Sequence, residues 1–170
     1  MKRPSRTASA LPSPGLAPVF GDNPRVLILG SFPSRLSLRY TAYYGNPRNH
    51  FWAIMEALFA IRPDLPYETR IRQVTGHGIA LWDVVNSCSR PGSADAQITD
   101  PIFNDIAGFV HDHPSLQLIA LNGNTAGRIF AKIGTGIPVP AVILPSTSPA
   151  NAAMGIDEKV RRWSVLLEQR

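Results

Sequence analysis

Four short, mostly apolar runs, separated by stretches of helical periodicity, constrain this chain more than any other feature. Val26-Leu27-Ile28-Leu29 stops at Gly30, Ile79 to Val85 runs into a loop, Leu116 to Leu121 precedes Asn122-Gly123-Asn124, and Pro140 to Leu144 is the fourth. Runs of this length, closed by glycine or polar turns, read as strands, the first and third of them buried. Between them Phe51, Met55, Leu58 and Phe59 recur at helical spacing and predict a helix from about Asn49 to Ala60. Tyr67, Ile71 and Val74 predict a second helix, closed near Gly76 and Gly78. Ile102, Ile106 and Phe109 predict a third before Pro114. Ala126, Ile129, Phe130 and Ile133 form one further apolar face, and Val160, Trp163 and Leu167 the last.

Strands that alternate with helices pair in parallel, and strands without polar alternation are covered on both faces. The expected fold is therefore a three-layer α/β/α domain around a central, mainly parallel four-stranded sheet. Such sheets bind ligands beyond the carboxyl ends of their strands. That rule directs attention to the loops beginning at Gly30, near Asp83, at Asn122 and at Pro145.

A chain of 170 residues is expected to hold one domain, here residues 21–170. Residues 1–20 read as a disordered lead-in, because Lys2, Arg3 and Arg6 stand among four prolines and three serines with no acid. Their charge accounts for more than half of the net +5, leaving 14 basic against 12 acidic side chains in the body. That balance is compatible with a nucleic-acid partner without requiring one. No run approaches the length of a membrane-spanning helix. The single cysteine, Cys88, fits a reducing cytoplasm and excludes a site built from several thiolates.

The loop from Gly30 to Asn49 is long for a strand-to-helix connection, and such loops are usually functional. It has no Walker lysine and no Gly-x-Gly-x-x-Gly, so a nucleotide-phosphate cradle is not expected. Its residues divide into aromatics (Phe32, Tyr40, Tyr43, Tyr44), amides (Asn46, Asn49) and guanidinium groups (Arg35, Arg39, Arg48). These types stack on bases, read base edges and meet phosphates. They are equally the types that fill a core and cap a helix. The loop Pro145-Ser146-Thr147-Ser148-Pro149-Ala150-Asn151 sets three hydroxyls between prolines. It reads either as a stiffened phosphate grip or as a turn whose hydroxyls bond their own backbone. Asp83 closes the second strand, as a cap or as a base toward water. Asn122 and Asn124 read as turn and cap residues. His111 and His113, two apart, do not share a helix face and read as surface residues. His50 has the pocket as one option, Cys88 reads as a small buried residue, and Arg161 and Arg162 as a solvated face.

Taken together, Gly30-Ser-Phe-Pro33, Tyr43-Tyr-Gly-Asn-Pro-Arg-Asn49-His-Phe-Trp52 and Leu144-Pro-Ser-Thr-Ser-Pro-Ala-Asn151 resemble the uracil-DNA glycosylase superfamily. Ala80-Leu-Trp-Asp-Val84, Cys88-Ser-Arg90 and Gly92-Ser-Ala-Asp95 extend the likeness to the hypoxanthine-DNA (deoxyinosine) branch, near the mismatch-specific uracil/thymine enzymes. The resemblance runs from about Arg25 to the C-terminus. It implies hydrolysis of the N-glycosidic bond of a deaminated base in damaged DNA, hypoxanthine first and uracil second. It also implies no metal or other cofactor, a monomer, and a cytoplasmic place beside the nucleoid of a prokaryote. By the same likeness Gly30, Ser31, Phe32, Tyr44 and Asn46 line a base pocket, and Asn49 is its catalytic residue. Ser146, Thr147, Ser148 and Asn151 grip the DNA backbone. Phe32 stands where other branches orient water with an asparagine or aspartate, and Leu144 where uracil enzymes place a histidine. Asp83 is the reserve for the water-positioning role.

The expected chemistry follows from charge. Cleavage builds positive charge on the sugar and negative charge on the departing base, so a donor aimed at the base stabilises the transition state. The Asn49 carboxamide offers its NH2 to the base and its oxygen to a water. No lysine lies in the two loops, which argues against a Schiff-base lyase step. Two other readings stay open: a catalytically silent nucleic-acid-binding module on the same scaffold, and a hydrolase of free nucleosides.

Overall fold

The computed structural model describes residues 12–169. In chain order the elements are β1 (Ser13–Pro14), β2 (Val26–Gly30), α1 (Arg35–Tyr40), α2 (Phe51–Phe59), α3 (Tyr67–Gly76), β3 (Ile79–Asp83), β4 (Val85–Ser89), β5 (Thr99–Phe103), α4 (Ile106–Asp112), β6 (Leu118–Asn122), α5 (Asn124–Ile133), β7 (Ala141–Leu144) and α6 (Ile156–Trp163). Short 3-10 helices cover Asp95–Gln97 and Ser164–Gln169. Four strands make one parallel sheet in the order β3-β2-β6-β7, as the apolar runs predict. Among the described residues no helix is long and apolar enough to cross a membrane.

The three layers follow from the period of two along each strand. Val26 and Ile28 of β2 point to one side, where Phe51, Ile54 and Met55 of α2 and Trp163 of α6 complete the cluster. Leu27 and Leu29 point to the other, against Ile106, Phe109 and Val110 of α4 and Ala126 and Phe130 of α5. Each large apolar side chain removed from water in this way contributes roughly 1.5–3 kcal/mol. With apolar clusters on both faces, no residue of β2 can be polar without cost, which explains the unbroken run.

The register aligns the strand ends. Gly30 pairs with Asp83, and Asn122 with Leu144. The chain leaves β2 toward β3 on one side and later places β6 on the other. A crevice therefore opens at this switch point, at the carboxyl ends of the strands.

Four expectations are corrected. The second strand does not continue to Val85: Val84 and Val85 donate to the carbonyls of Gly30 and Ser31, and the chain then starts a second, antiparallel sheet of order β1-β4-β5. Ile102 belongs to β5, where it is exposed, and not to a helix with Ile106 and Phe109. The helix instead starts after Asp105, whose carboxylate accepts from Gly108 N–H at 2.9 Å. The Gly30–Asn49 segment contains α1, capped by Ser34 and stopped where Thr41 turns left-handed at φ 49°. Of the lead-in expected to reach Phe20, residues 1–11 lie outside the described residues, but Ser13 and Pro14 pair with β4 and Val19 bridges Leu81. The alternating prolines there mark a strand on a sheet edge, where a missing N–H costs little.

Candidate active site

A cleft of about 720 Å³ lies at the switch point. Its walls include Gly30, Ser31 and Phe32 from the end of β2, Asn46 and Asn49 from the approach to α2, and Ser146, Ser148 and Asn151 from the loop after β7. Asp83 and Tyr44 also line it. Two segments far apart in sequence thus share one cavity, as the family likeness implies.

Direct bonds hold those segments together. His50 N–H donates to the Thr147 carbonyl at 2.9 Å, fastening the start of α2 to the serine loop. Asn122, at the end of β6, donates to Tyr44 Oη at 3.2 Å and to Thr147 Oγ1 at 3.0 Å, and accepts from Thr147 N–H at 3.0 Å. It therefore cross-links three walls and is not the turn or cap residue expected; Gly123 holds the N-cap position of α5, at φ 96°. Trp163 Nε1–H donates to Pro145 O at 3.0 Å from α6. Lys159 is fully buried one turn earlier, 3.2 Å from His50 Nδ1 and 3.1 Å from Asn151 O. Burial lowers its pKa. Lys159 was missed in the sequence, yet the spacing of Ile156, Lys159, Val160 and Trp163 places it on the apolar face of α6.

The two amides are arranged alike. Asn49 Oδ1 accepts from Phe51 N–H at 2.9 Å, and Asn46 Oδ1 accepts from Arg48 N–H at 3.0 Å. Both oxygens are committed to their own backbone, and neither NH2 donates to a described residue. The oxygen expected to hold a water is thus bonded to the first turn of α2. Asn49 is both a cap-like residue and a residue of the cleft wall, so the two readings of it coexist.

Tyr44 is a fixed wall. Its ring stacks on Phe51 at 3.8 Å between centroids, its hydroxyl is held by Asn122, and its backbone is left-handed at φ 55°. Burial, reinforced by nearby Asp83, raises its phenol pKa. Phe32 departs from the expected open stacking surface: only 7% exposed, it belongs to the core and carries the Arg90 guanidinium 4.8 Å from its ring centroid. Tyr43 is also buried, with its hydroxyl on Ala17 O at 2.8 Å.

Asp83 is 5% exposed, and its Oδ2 is buried without a hydrogen-bond partner. Burial, aided by the charge of Asp95 and opposed by Arg90, raises its pKa to about 7. Gly30 makes room for it: a Cβ at residue 30 would lie 2.5 Å from Asp83 Oδ1. Asp95 itself accepts from Ser31 Oγ–H at 2.6 Å. It enters the cleft on a 3-10 turn that no hydrophobic period announces.

In the serine loop Thr147 turns inward, 1% exposed and bonded to Asn122, so its hydroxyl does not face DNA as expected. Ser146 Oγ accepts from Ser148 N–H and Ser148 Oγ accepts from Ala150 N–H, each at 3.2 Å. Asn151 Nδ2 donates to Ser146 O at 3.1 Å. The turn reading therefore holds for the acceptor side of each serine, while their O–H groups donate to no described residue. His113 lies with Nδ1 2.7 Å from Phe109 O, stacked on that ring. Cys88 is buried. Arg161 and Arg162 both pair with Glu158 on an exposed face, and Arg162 also reaches the cleft.

The model of the uracil DNA glycosylase superfamily matches residues 17–167, and the chain belongs to that superfamily. It is 39% identical to a hypoxanthine DNA glycosylase of Methanosarcina acetivorans over 138 residues, covering 81% of this chain and 87% of the relative. A hypoxanthine DNA glycosylase of Methanosarcina barkeri is 34% identical with the same coverage. The solution NMR structure of a Methanosarcina acetivorans protein described as a candidate uracil DNA glycosylase superposes with a TM-score of 0.78. It is 34% identical, and the match covers 92% of this chain and 99% of that one.

Proposed function

We propose that this chain is a DNA glycosylase that hydrolyses the N-glycosidic bond of a deaminated base, hypoxanthine before uracil, and leaves the strand uncut. The observation that carries the reading is one cleft lined by Asn46 and Asn49, whose NH2 groups donate to no described residue, together with the serine loop. The relatives' names supply the substrate class.

The glycosidic carbon is buried in duplex DNA, so the nucleotide must be extruded at a cost of a few kcal/mol, less where the base is mispaired. Tyr44 is the stacking partner on this reading, because its ring is already braced by Phe51. Stacking of that kind returns about 1–3 kcal/mol per base, comparable to the cost. Ser146 and Ser148 offer O–H donors to phosphates beside the extruded nucleotide, and exposed Arg48 adds charge at the rim. Hypoxanthine presents O6, N3 and N7 as acceptors. The Asn49 NH2 donates to the base as negative charge develops, and it does so without reorganisation because its oxygen is anchored. Asn49 is thus an electrostatic and positioning catalyst on this reading.

The test is direct. Duplexes carrying one hypoxanthine, uracil or xanthine are incubated with the protein, then treated with alkali to cut abasic sites. Cutting only after alkali, fastest at hypoxanthine, is the expected result. Duplex binding without scission would make the chain a silent binding module, and base release from free deoxyinosine in preference to duplex would make it a nucleoside hydrolase.

A further inference from the structure

We propose that Asp83 is the proton donor to the departing purine, a catalytic residue separate from Asn49. This rests on the glycosylase reading above and deepens it. Three observations converge. Asp83 sits at the carboxyl end of β3, in register with Gly30, on the wall of the same cleft as Asn49. Its Oδ2 is buried and unpartnered, which costs a carboxylate more than a neutral carboxylic acid. And glycine at position 30 leaves the carboxyl its space, since a Cβ there would meet Oδ1 at 2.5 Å.

The surroundings favour the acid form. The charged and titratable groups around Asp83 are Asp95 on the 3-10 turn, Arg90 beyond β4, and the hydroxyls of Tyr43 and Tyr44 before α2. Asp95 and burial oppose ionisation, and Arg90 favours it less strongly. The group is therefore poised near neutrality, where a general acid is most effective.

The C1′–N9 bond breaks, and its electron pair goes to the base. The Asp83 proton passes to a ring nitrogen, N7 or N3, so hypoxanthine leaves neutral and Asp83 becomes a carboxylate. Water adds to C1′, and the proton it sheds restores the acid. Uracil has no basic ring nitrogen to protonate and gains little from such a donor, so Asp83 also ranks purines above pyrimidines.

The experiment measures single-turnover excision from hypoxanthine and 7-deazahypoxanthine duplexes across pH 5–9, for the unaltered protein and Asp83→Asn. A rate that falls as pH rises through about 7 is expected for the unaltered protein. Asp83→Asn should lose about 100–10,000-fold on hypoxanthine and show no such limb. If N7 is the acceptor, removing it should slow the unaltered protein and leave Asp83→Asn unchanged; a slow rate on 3-deazahypoxanthine instead assigns N3. A rate that rises with pH through the same range, or Asp83→Asn within threefold of the unaltered protein, overturns the proposal. The pH profile of the unaltered protein decides the matter even if the variant folds poorly. Failure to excise hypoxanthine at any pH would instead remove the glycosylase reading itself.

Discussion

The carboxamide of Asn122 holds Thr147 from both ends, accepting from its N–H at 3.0 Å and donating to its hydroxyl at 3.0 Å. A third bond from the same NH2 reaches Tyr44 Oη. One side chain at the end of a central strand thereby fixes the distance between the aromatic wall and the serine loop.

Asn122→Ala should therefore loosen the cleft more than it loosens the protein. Each lost bond is worth about 1 kcal/mol and an orphaned partner about 1–3 kcal/mol, so urea denaturation should show a loss in that range. Excision should fall by more than tenfold, because a small displacement of positioning groups is costly. Equal activity at reduced stability would show that the cross-link serves folding alone.

Gly30→Ala tests the close approach of β2 to Asp83. Gly30 has no positive φ, so the expected penalty is steric. Forcing a methyl against Asp83 Oδ1 should destabilise by about 1–3 kcal/mol. Thermal melts of Gly30→Ala, Asp83→Ala and the double variant check the cause: removal of the carboxyl should recover part of the loss.

The pH dependence of stability has a definite sign. The pKa of Asp83 is raised in the folded protein to about 7, so between its unfolded value and that point the native state binds more protons than the unfolded one. Its contribution is full below the unfolded pKa and disappears as pH rises through about 7. Asp83→Asn cannot ionise. Its stability relative to the unaltered protein should rise between pH 5 and pH 8 in urea titrations; a constant difference would mean that Asp83 is ionised throughout.

Much of the layered fold is legible in the residues, because β2 and β6 must be apolar on both faces. The second sheet is not. Val85–Ser89 and Thr99–Phe103 mix polar with apolar residues, and Ile102 falls by chance at helical spacing from Ile106. The site is legible as segments and not as roles. Asn49, Asn46 and Ser146 are placed at the cleft, but only coordinates show that each amide oxygen is spent on its own backbone. Phe32 and Thr147 turn into the core for the same reason that made them ambiguous: aromatic and hydroxyl side chains serve packing as readily as binding. Asp83 shows the reverse, since no sequence pattern distinguishes a capping carboxylate from one sealed without a partner.

On the proposed reading the Asn49 NH2, whose carboxamide is anchored through its oxygen to Phe51 N–H, stabilises the departing base. Single-turnover excision of hypoxanthine by Asn49→Ala, measured beside its duplex affinity, tests this most directly. A rate lowered about 100–1,000-fold with affinity nearly unchanged is the expected result. A rate within a few fold of the unaltered protein would contradict it.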